Sequence, residues 1–467
     1  MFLCKVDCPK SDRYNKASPS NNMRDLRRLS MNSLKKKILY GLFCTPFVLG
    51  VAACGQGQAQ SSVTANPSSL VTSSAEDLDM NQFPNFMKDV ASIPYEFEEK
   101  QMRDPFFWGN VIYNESAMMV QDESGAISCR LRFKPERVIS IHDYTWTKEY
   151  VEGKDYEISG NKILWKEGSE IPYWTEAQLK GEGIPEPYRK VDQITNQATD
   201  YTVWSGVTIY TESPFFYANQ IHVTYAYDIH DLNRDAYPQY CLDSLPKLKA
   251  KLEGKQDVHI VTIGDSISEG CSSSGLFKHA PFMDPWVPQA ADALGKEYGC
   301  NVTMTNQSVG GTTAGYVSSD PSKLQAIKDQ NPDVVFIHYG VNDLGNSETP
   351  NSYGDLMLDI ILYIHDELPN TEIVLFSPLM PNPYIYDEEK MTMYEEKLHQ
   401  LAKDYGQDGQ GIAVIDVNKA SLDYFNTQYK RYEDYTANGI NHPNDFGHRF
   451  YVQCVLGAFV DPTKRAK

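Results

Sequence analysis

Four short stretches carry residue types suited to attacking an acyl carbon: "GDSISEG" (264–270), "NQSVGGTT" (306–313), "YGVND" (339–343) and "NHPND" (441–445). Ser266 in the first could serve as a nucleophile beside the free amides of a helix N-terminus. Alone it is equally an ordinary helix cap. Gly310 and Gly311 in the second allow close backbone approach to a ligand and can point an N–H at it. Asn342 in the third carries a side-chain amide able to hold a developing oxyanion, although Asn and Asp after a strand also simply make turns. Asp343 reads as structural. His442 in the fourth is a late histidine, the usual general base for a serine.

These stretches need a scaffold that brings them to one place. From about residue 257 the chain alternates apolar runs such as "VHIVTIG", "DVVFIHYG", "EIVLFSP" and "GIAVIDV" with longer amphipathic segments. That rhythm predicts a parallel sheet covered by helices on both faces. Ligands in such folds sit at the carboxyl ends of the strands, where the serine, glycine and asparagine blocks fall. Tyr394, Leu398, Leu401, Ala402 and Tyr405 recur at helical spacing and read as core.

With all four blocks present in order, residues 257–467 resemble the SGNH (GDSL-type) hydrolase superfamily. The resemblance implies a three-layer, flavodoxin-like α/β domain. It also implies Ser266 as nucleophile, His442 as base, and an oxyanion hole made of the Ser266 amide, the Gly311 amide and the Asn342 side chain. No metal or organic cofactor is expected. Many members carry Asp three residues before the histidine, where this chain has Gly439. Asp434 and Asp445 are the candidate orienting acids. A Ser–His dyad held by a backbone carbonyl, as in some family 2 carbohydrate esterases, is the expectation. His448 reads as a packing or surface residue.

The region before this domain reads differently. Between 80 and 250, runs such as "RVISIHDYTW", "DYTVWSGVTIYT" and "NQIHVTYAYDIH" are short, β-branched and aromatic, and are separated by turn signals. They predict an all-β sandwich or jelly-roll domain, with the hydrolase domain at 255–467. Trp146, Trp165 and Trp174 are read as core, with sugar stacking as the alternative. Residues 55–79 are rich in Ser, Gln and Ala, as in a flexible linker.

Residues 1–54 contain "KKK" followed by an apolar run from Ile38 to Ala53, then Cys54. The pattern predicts a lipoprotein signal peptide with Met31 as the better start and Cys54 as the acylated residue, hence an exported product held at the membrane only by lipid. The chain has 43 basic and 62 acidic residues, and without residues 1–54 it has 33 and 59, a net charge of −26. Such a surface repels phosphate backbones, so no nucleic acid is expected as a partner. Cys129, Cys241, Cys271, Cys300 and Cys454 fit no zinc spacing, although one or two disulfides would suit an exported chain. A β-sandwich before an SGNH domain is similar to the arrangement in family 2 carbohydrate esterases. The expected substrate is therefore an acetylated glycan, with a lipase or thioesterase, or a non-catalytic glycan-binding lipoprotein, as alternatives.

Overall fold

The strands that carry the candidate site are apolar almost throughout, one alternating edge strand apart, as they must be if helices cover both faces of their sheet. In the computed structural model, which describes residues 79–180, 182–183, 201–204, 207–210, 217–406 and 409–465, they are β10 (Val258–Gly264), β11 (Val302–Asn306), β12 (Val334–His338), β13 (Glu372–Phe376) and β14 (Ile412–Ile415). All pair in parallel, in the order β11–β10–β12–β13–β14. This is the doubly wound order of flavodoxin-like sheets, whose ligand crevice opens where the strand order reverses. Here that point lies between β10 and β12. The central strands β12 and β13 are buried along their whole length, whereas β11, at the sheet edge, is only half-buried.

Helices Trp286–Tyr298, Pro321–Asp329, Pro350–Glu367 and Glu388–Tyr405 connect the strands. The last of these buries Tyr394, Leu398 and Leu401, as its spacing predicts, together with Met391, whereas Ala402 and Tyr405 are only partly buried. The final helix, Asp445–Phe459, is buried on every side. A helix with no solvent face must be packed all round, and the preceding β region covers what the sheet does not. Arg449 donates to the carbonyls of Tyr113 and Asn114 (2.9 and 2.7 Å), and Gln453 donates to that of Met102 (3.1 Å).

The β region is built from β1 (Val111–Gln121), β2 (Ile127–Arg130), β3 (Pro135–Asp143), β4 (Tyr156–Ser159), β5 (Lys162–Trp165), β6 (Tyr173–Thr175) and β9 (Gln220–Tyr227). A separate two-stranded ribbon, β7 (Tyr201–Trp204) with β8 (Val207–Tyr210), precedes β9. β1 is long enough to serve two sets of neighbours. Its first eight residues run antiparallel to β9, and its end pairs with β2 and, in parallel, with β6. The region is thus antiparallel-rich, but the described strands do not trace a jelly roll. Trp174 is core, while Trp165 and Trp146 are half-buried and donate their indole N–H groups to the Ile171 carbonyl and to His222 Nδ1.

The described residues pack as one compact unit with a core shared between the β region and the parallel sheet. The expected signal peptide, Cys54 and most of the linker lie outside the described residues. The five described cysteines form no disulfide with one another, and no described helix is long and apolar enough to cross a membrane.

At the joint between the regions lies a fully buried ion pair, Glu115 of β1 with Lys430 (2.7 Å). Glu115 also accepts from the Arg132 amide (3.0 Å) and from the hydroxyls of Tyr225 (2.5 Å) and Tyr424 (3.0 Å). Lys430 also donates to the carbonyls of Ser116 and Arg130, both at 3.0 Å. Removing one partner strands the other charge out of water, which costs roughly 3–5 kcal/mol. Lys430→Met should therefore lower the unfolding free energy by about that amount in a urea titration. A change under about 1 kcal/mol would show that the pair is replaceable by apolar packing.

Candidate active site

Ser266, Gly311 and Asn342 each lie just beyond the carboxyl end of a parallel strand, and the path of the chain there explains their placement. β10 ends at Gly264, and a short helix begins at Ser266, with Asp265 as its cap accepting from the Ile267 amide (3.0 Å). Ser266 is thereby fixed at a helix N-terminus, 5% exposed. Its Oγ lies 2.7 Å from Nε2 of His442. The two are 176 positions apart in the chain, so only the fold brings them together.

The glycine loop after β11 is tied down from several sides. The Val309 amide donates to the Gly264 carbonyl (3.0 Å), and the Thr312 hydroxyl donates to the Val309 carbonyl (2.6 Å). The Gly310 amide donates to Glu269 Oε2 (2.7 Å), so it is occupied. The Gly311 amide has no acceptor among the described residues, nor has that of Ser266. Gly311 sits at φ +75°, a conformation that favours glycine. Asn342 donates one amide proton to the Thr312 carbonyl (3.0 Å). That bond locks its side chain beside the glycine loop and leaves the second proton for another acceptor.

The histidine loop is organised by its own side chains. Asn438 Oδ1 collects the amides of Ile440, Asn441 and His442 (2.9, 3.1 and 3.1 Å). The His442 carbonyl accepts from the Ala437 amide (2.9 Å) and the Thr436 hydroxyl (3.1 Å). Gly439, where many relatives of this motif carry Asp, has φ +77°. It also offers its carbonyl to Asn382 (2.7 Å), so the position serves the loop's turn. Asp434 directs its carboxylate to the amides of Met118 (2.7 Å) and Arg431 (2.8 Å). Asp445 directs its own to the Ser274 amide (2.8 Å). Asn444 caps the final helix through the Gly447 amide (3.1 Å). His448 donates to the Cys271 carbonyl (3.1 Å) from within that helix.

Behind the serine lies a polar cluster whose role the motif reading missed. Asp265 is buried, and its Oδ2 has no hydrogen-bond partner among the described residues. Burial raises its carboxyl to about 7, against the opposing pull of the Ile267 amide and of His442. His338, the last residue of β12, is also fully buried, and burial pushes its imidazole down to about 3. Its ring meets Ser268 Oγ at 2.9 Å and the Tyr451 hydroxyl at 3.1 Å, with Asp265 Oδ1 at 3.7 Å. A histidine ending a buried strand just before "YGVND" was the available signal. Asp343, assigned a structural role from sequence, accepts from the Ala314 amide (3.1 Å), and burial raises its carboxyl to about 6. No group of three metal-ligating side chains stands together among the described residues.

A serine hydroxyl at hydrogen-bond distance from an imidazole, beside two open amides and a held asparagine amide, suits acyl transfer. The family comparison agrees, since residues 262–450 match the model of the GDSL-like lipase/acylhydrolase family. Residues 262–450 are a GDSL-like acylhydrolase domain. No curated protein matches the chain. Among solved structures, the GDSL domain is similar to a catalytic mutant of Axe2, an acetylxylan esterase from Geobacillus stearothermophilus. That match has 16% identity and a TM-score of 0.35 over 45% of this chain and 97% of that one. It is also similar to LAE5, an α/β hydrolase from the metagenome of Lake Arreo (20%, 0.34, 43% and 93%). A third is the esterase EstA of Pseudoalteromonas (18%, 0.27, 34% and 77%).

Two outcomes follow for the GDSL domain. Asn342→Ala should lower kcat by about 10²–10³, the cost of one oxyanion donor, with an unchanged circular dichroism spectrum. Turnover within a few-fold of the parent would remove Asn342 from the site. Asp265 is neutral in the fold at a pH where an unfolded Asp is ionised. Its contribution to stability is therefore full below about pH 4 and lost as the pH rises through about 7. Asp265→Asn, measured by thermal melts from pH 4 to 8, should flatten that decline, and an unchanged slope would contradict the burial argument.

Proposed function

We propose that the protein is a serine esterase that removes O-acetyl groups from carbohydrates, with Ser266 as nucleophile and His442 as base. The observation that carries the chemistry is the 2.7 Å contact between Ser266 Oγ and His442 Nε2 beside the unoccupied amides of Ser266 and Gly311. His442 takes the serine proton as Oγ attacks the ester carbonyl. The oxyanion forms against those two amides and the second proton of Asn342, and the alcohol leaves with the proton held by His442. Water then attacks the acyl-enzyme by the same route in reverse.

Three features support a carbohydrate substrate. The β region adjoins the GDSL domain in the order similar to family 2 carbohydrate esterases, the net charge suits a neutral rather than an anionic substrate, and the sequence is rich in tyrosine, with 30 copies. Residues 1–54 support placement of the enzyme at the cell surface through a lipid on Cys54.

One observation favours a second reading, hydrolysis of longer acyl esters. Leu276, Phe277 and Phe282 after β10, Val309 after β11 and Tyr384 after β13 are all exposed, Phe282 at 64%. They lie on segments leaving the sheet's carboxyl edge, and exposed apolar side chains gathered on one edge commonly mark a binding surface. The two readings separate on acyl length. The acetylesterase reading expects p-nitrophenyl acetate to exceed the octanoate in kcat/KM by tenfold or more, together with acetate release from acetylated xylan. Preference for the octanoate would install the second reading. Ser266→Ala should lower either activity by about 10⁴–10⁶, and retained turnover would overturn both.

A further inference from the structure

The β region reaches the histidine loop through one side chain that the motif leaves unexplained. Gln220 opens β9 and is 1% exposed. Its amide nitrogen donates to the carbonyls of Glu433 (2.6 Å) and Thr436 (2.9 Å), and its oxygen accepts from the Asn444 side chain (2.7 Å). These three partners flank His442 on both sides. Thr436 is the inner link, since its carbonyl is held by Gln220 while its hydroxyl holds the carbonyl of His442 (3.1 Å). Two hydrogen bonds thus run from β9 to the backbone of the candidate base.

Neighbouring groups act in the same direction. The Met118 amide of β1 holds Asp434 (2.7 Å), and Asn444 also donates to Ser116 Oγ (3.0 Å). The segment between Asp434 and Asn444 has no regular element of its own beyond a single bridge, Thr436 with Pro443. Asn438 and Thr436 shape it from within, so its ties to the β region set where it sits.

We propose that Gln220 is a positioning residue for His442, and that the β region is a working part of the catalytic geometry as well as a neighbour of the GDSL domain. The inference rests on the reading of Ser266 and His442 as nucleophile and base. A primary amide suits the task because it offers two donors and an acceptor on one planar group. The loop presents two carbonyls and one N–H to match. A carboxylate could take only the Asn444 contact, and an apolar isostere none of the three.

The test compares three variants of the full chain on p-nitrophenyl acetate, with kcat expressed per folded molecule. Gln220→Met removes the clamp while keeping the side-chain volume. It should lower kcat about 10- to 100-fold with KM within twofold, the cost of a base displaced by a fraction of an ångström. It should also slow phosphorylation of Ser266 by diethyl p-nitrophenyl phosphate to the same extent and shift the acid limb of the kcat/KM profile. Gln220→Glu should fall between Met and the parent. Arg137→Ala is the stability control. Arg137 holds the carbonyls of Val90, Ala91 and Ile93 near β3, so the variant should melt earlier yet keep its kcat. The proposal is overturned if Gln220→Met keeps kcat within twofold of the parent, or if Arg137→Ala loses as much. Ser266→Ala, run alongside, separates the cases: an active Ser266→Ala refutes the esterase reading, whereas an inactive one beside an active Gln220→Met refutes only the clamp.

Discussion

Glu115 and Lys430 are both removed from water, and the bonds that satisfy them cross between the regions: Lys430 donates to β-region carbonyls, and Glu115 accepts from the Tyr424 hydroxyl as well as from its own region's Arg132 and Tyr225. Two charges in such a place tolerate very little displacement, because each ångström of separation leaves a buried ion less compensated. Lys430 stands at the start of the segment that carries His442, and Glu115 stands in the middle of β1. The pair therefore registers the histidine loop against the β region, and Asp434, Gln220 and Asn444 extend that registration along the loop. The parallel sheet fixes Ser266 and the glycine loop, and the two parts meet where Ser266 and His442 touch.

This division explains how rigidity is distributed around the site. Ser266 is held by a strand end and a capped helix, the most predictable elements in an α/β fold. The glycine loop after β11 is held by bonds from side chains at its neighbouring strand ends, Glu269 to Gly310 and Asn342 to Thr312. His442 is held by a loop that Asn438 and Thr436 order from within and that Gln220 and Asn444 tie to the β region. Local structure thus positions Ser266, and contacts between the regions set where the His442 loop sits.

The sequence was legible in the same proportions. The alternation from Val258 to Ile415 announced the parallel sheet, since four apolar strands and one alternating strand between amphipathic helices admit few other arrangements. Three of the four blocks follow strand ends, and the fold brings the first of them, at Ser266, against the fourth, at His442. Gly311 could be preferred to Gly310 only by motif spacing, and the geometry supplies the physical reason: Glu269 occupies the Gly310 amide. The cluster of Asp265 and His338 was hidden because nothing in their spacing marks two residues on adjacent strands as neighbours. The clamp by Gln220 was hidden for a stronger reason. Its partners are more than two hundred positions away, and a glutamine opening a β-strand carries no sign of what it will meet. The β region itself was legible as β-rich, but the sharing of β1 between two sets of partners depends on pairing, which local pattern does not specify.

The proposed nucleophile is Ser266. Mass spectrometry of the protein after brief exposure to diethyl p-nitrophenyl phosphate checks this at the residue itself. One diethylphosphoryl adduct per chain is expected, located on the peptide containing Ser266, with loss of esterase activity in proportion to labelling. An adduct on another residue, or full esterase activity in a protein fully labelled at Ser266, would contradict it.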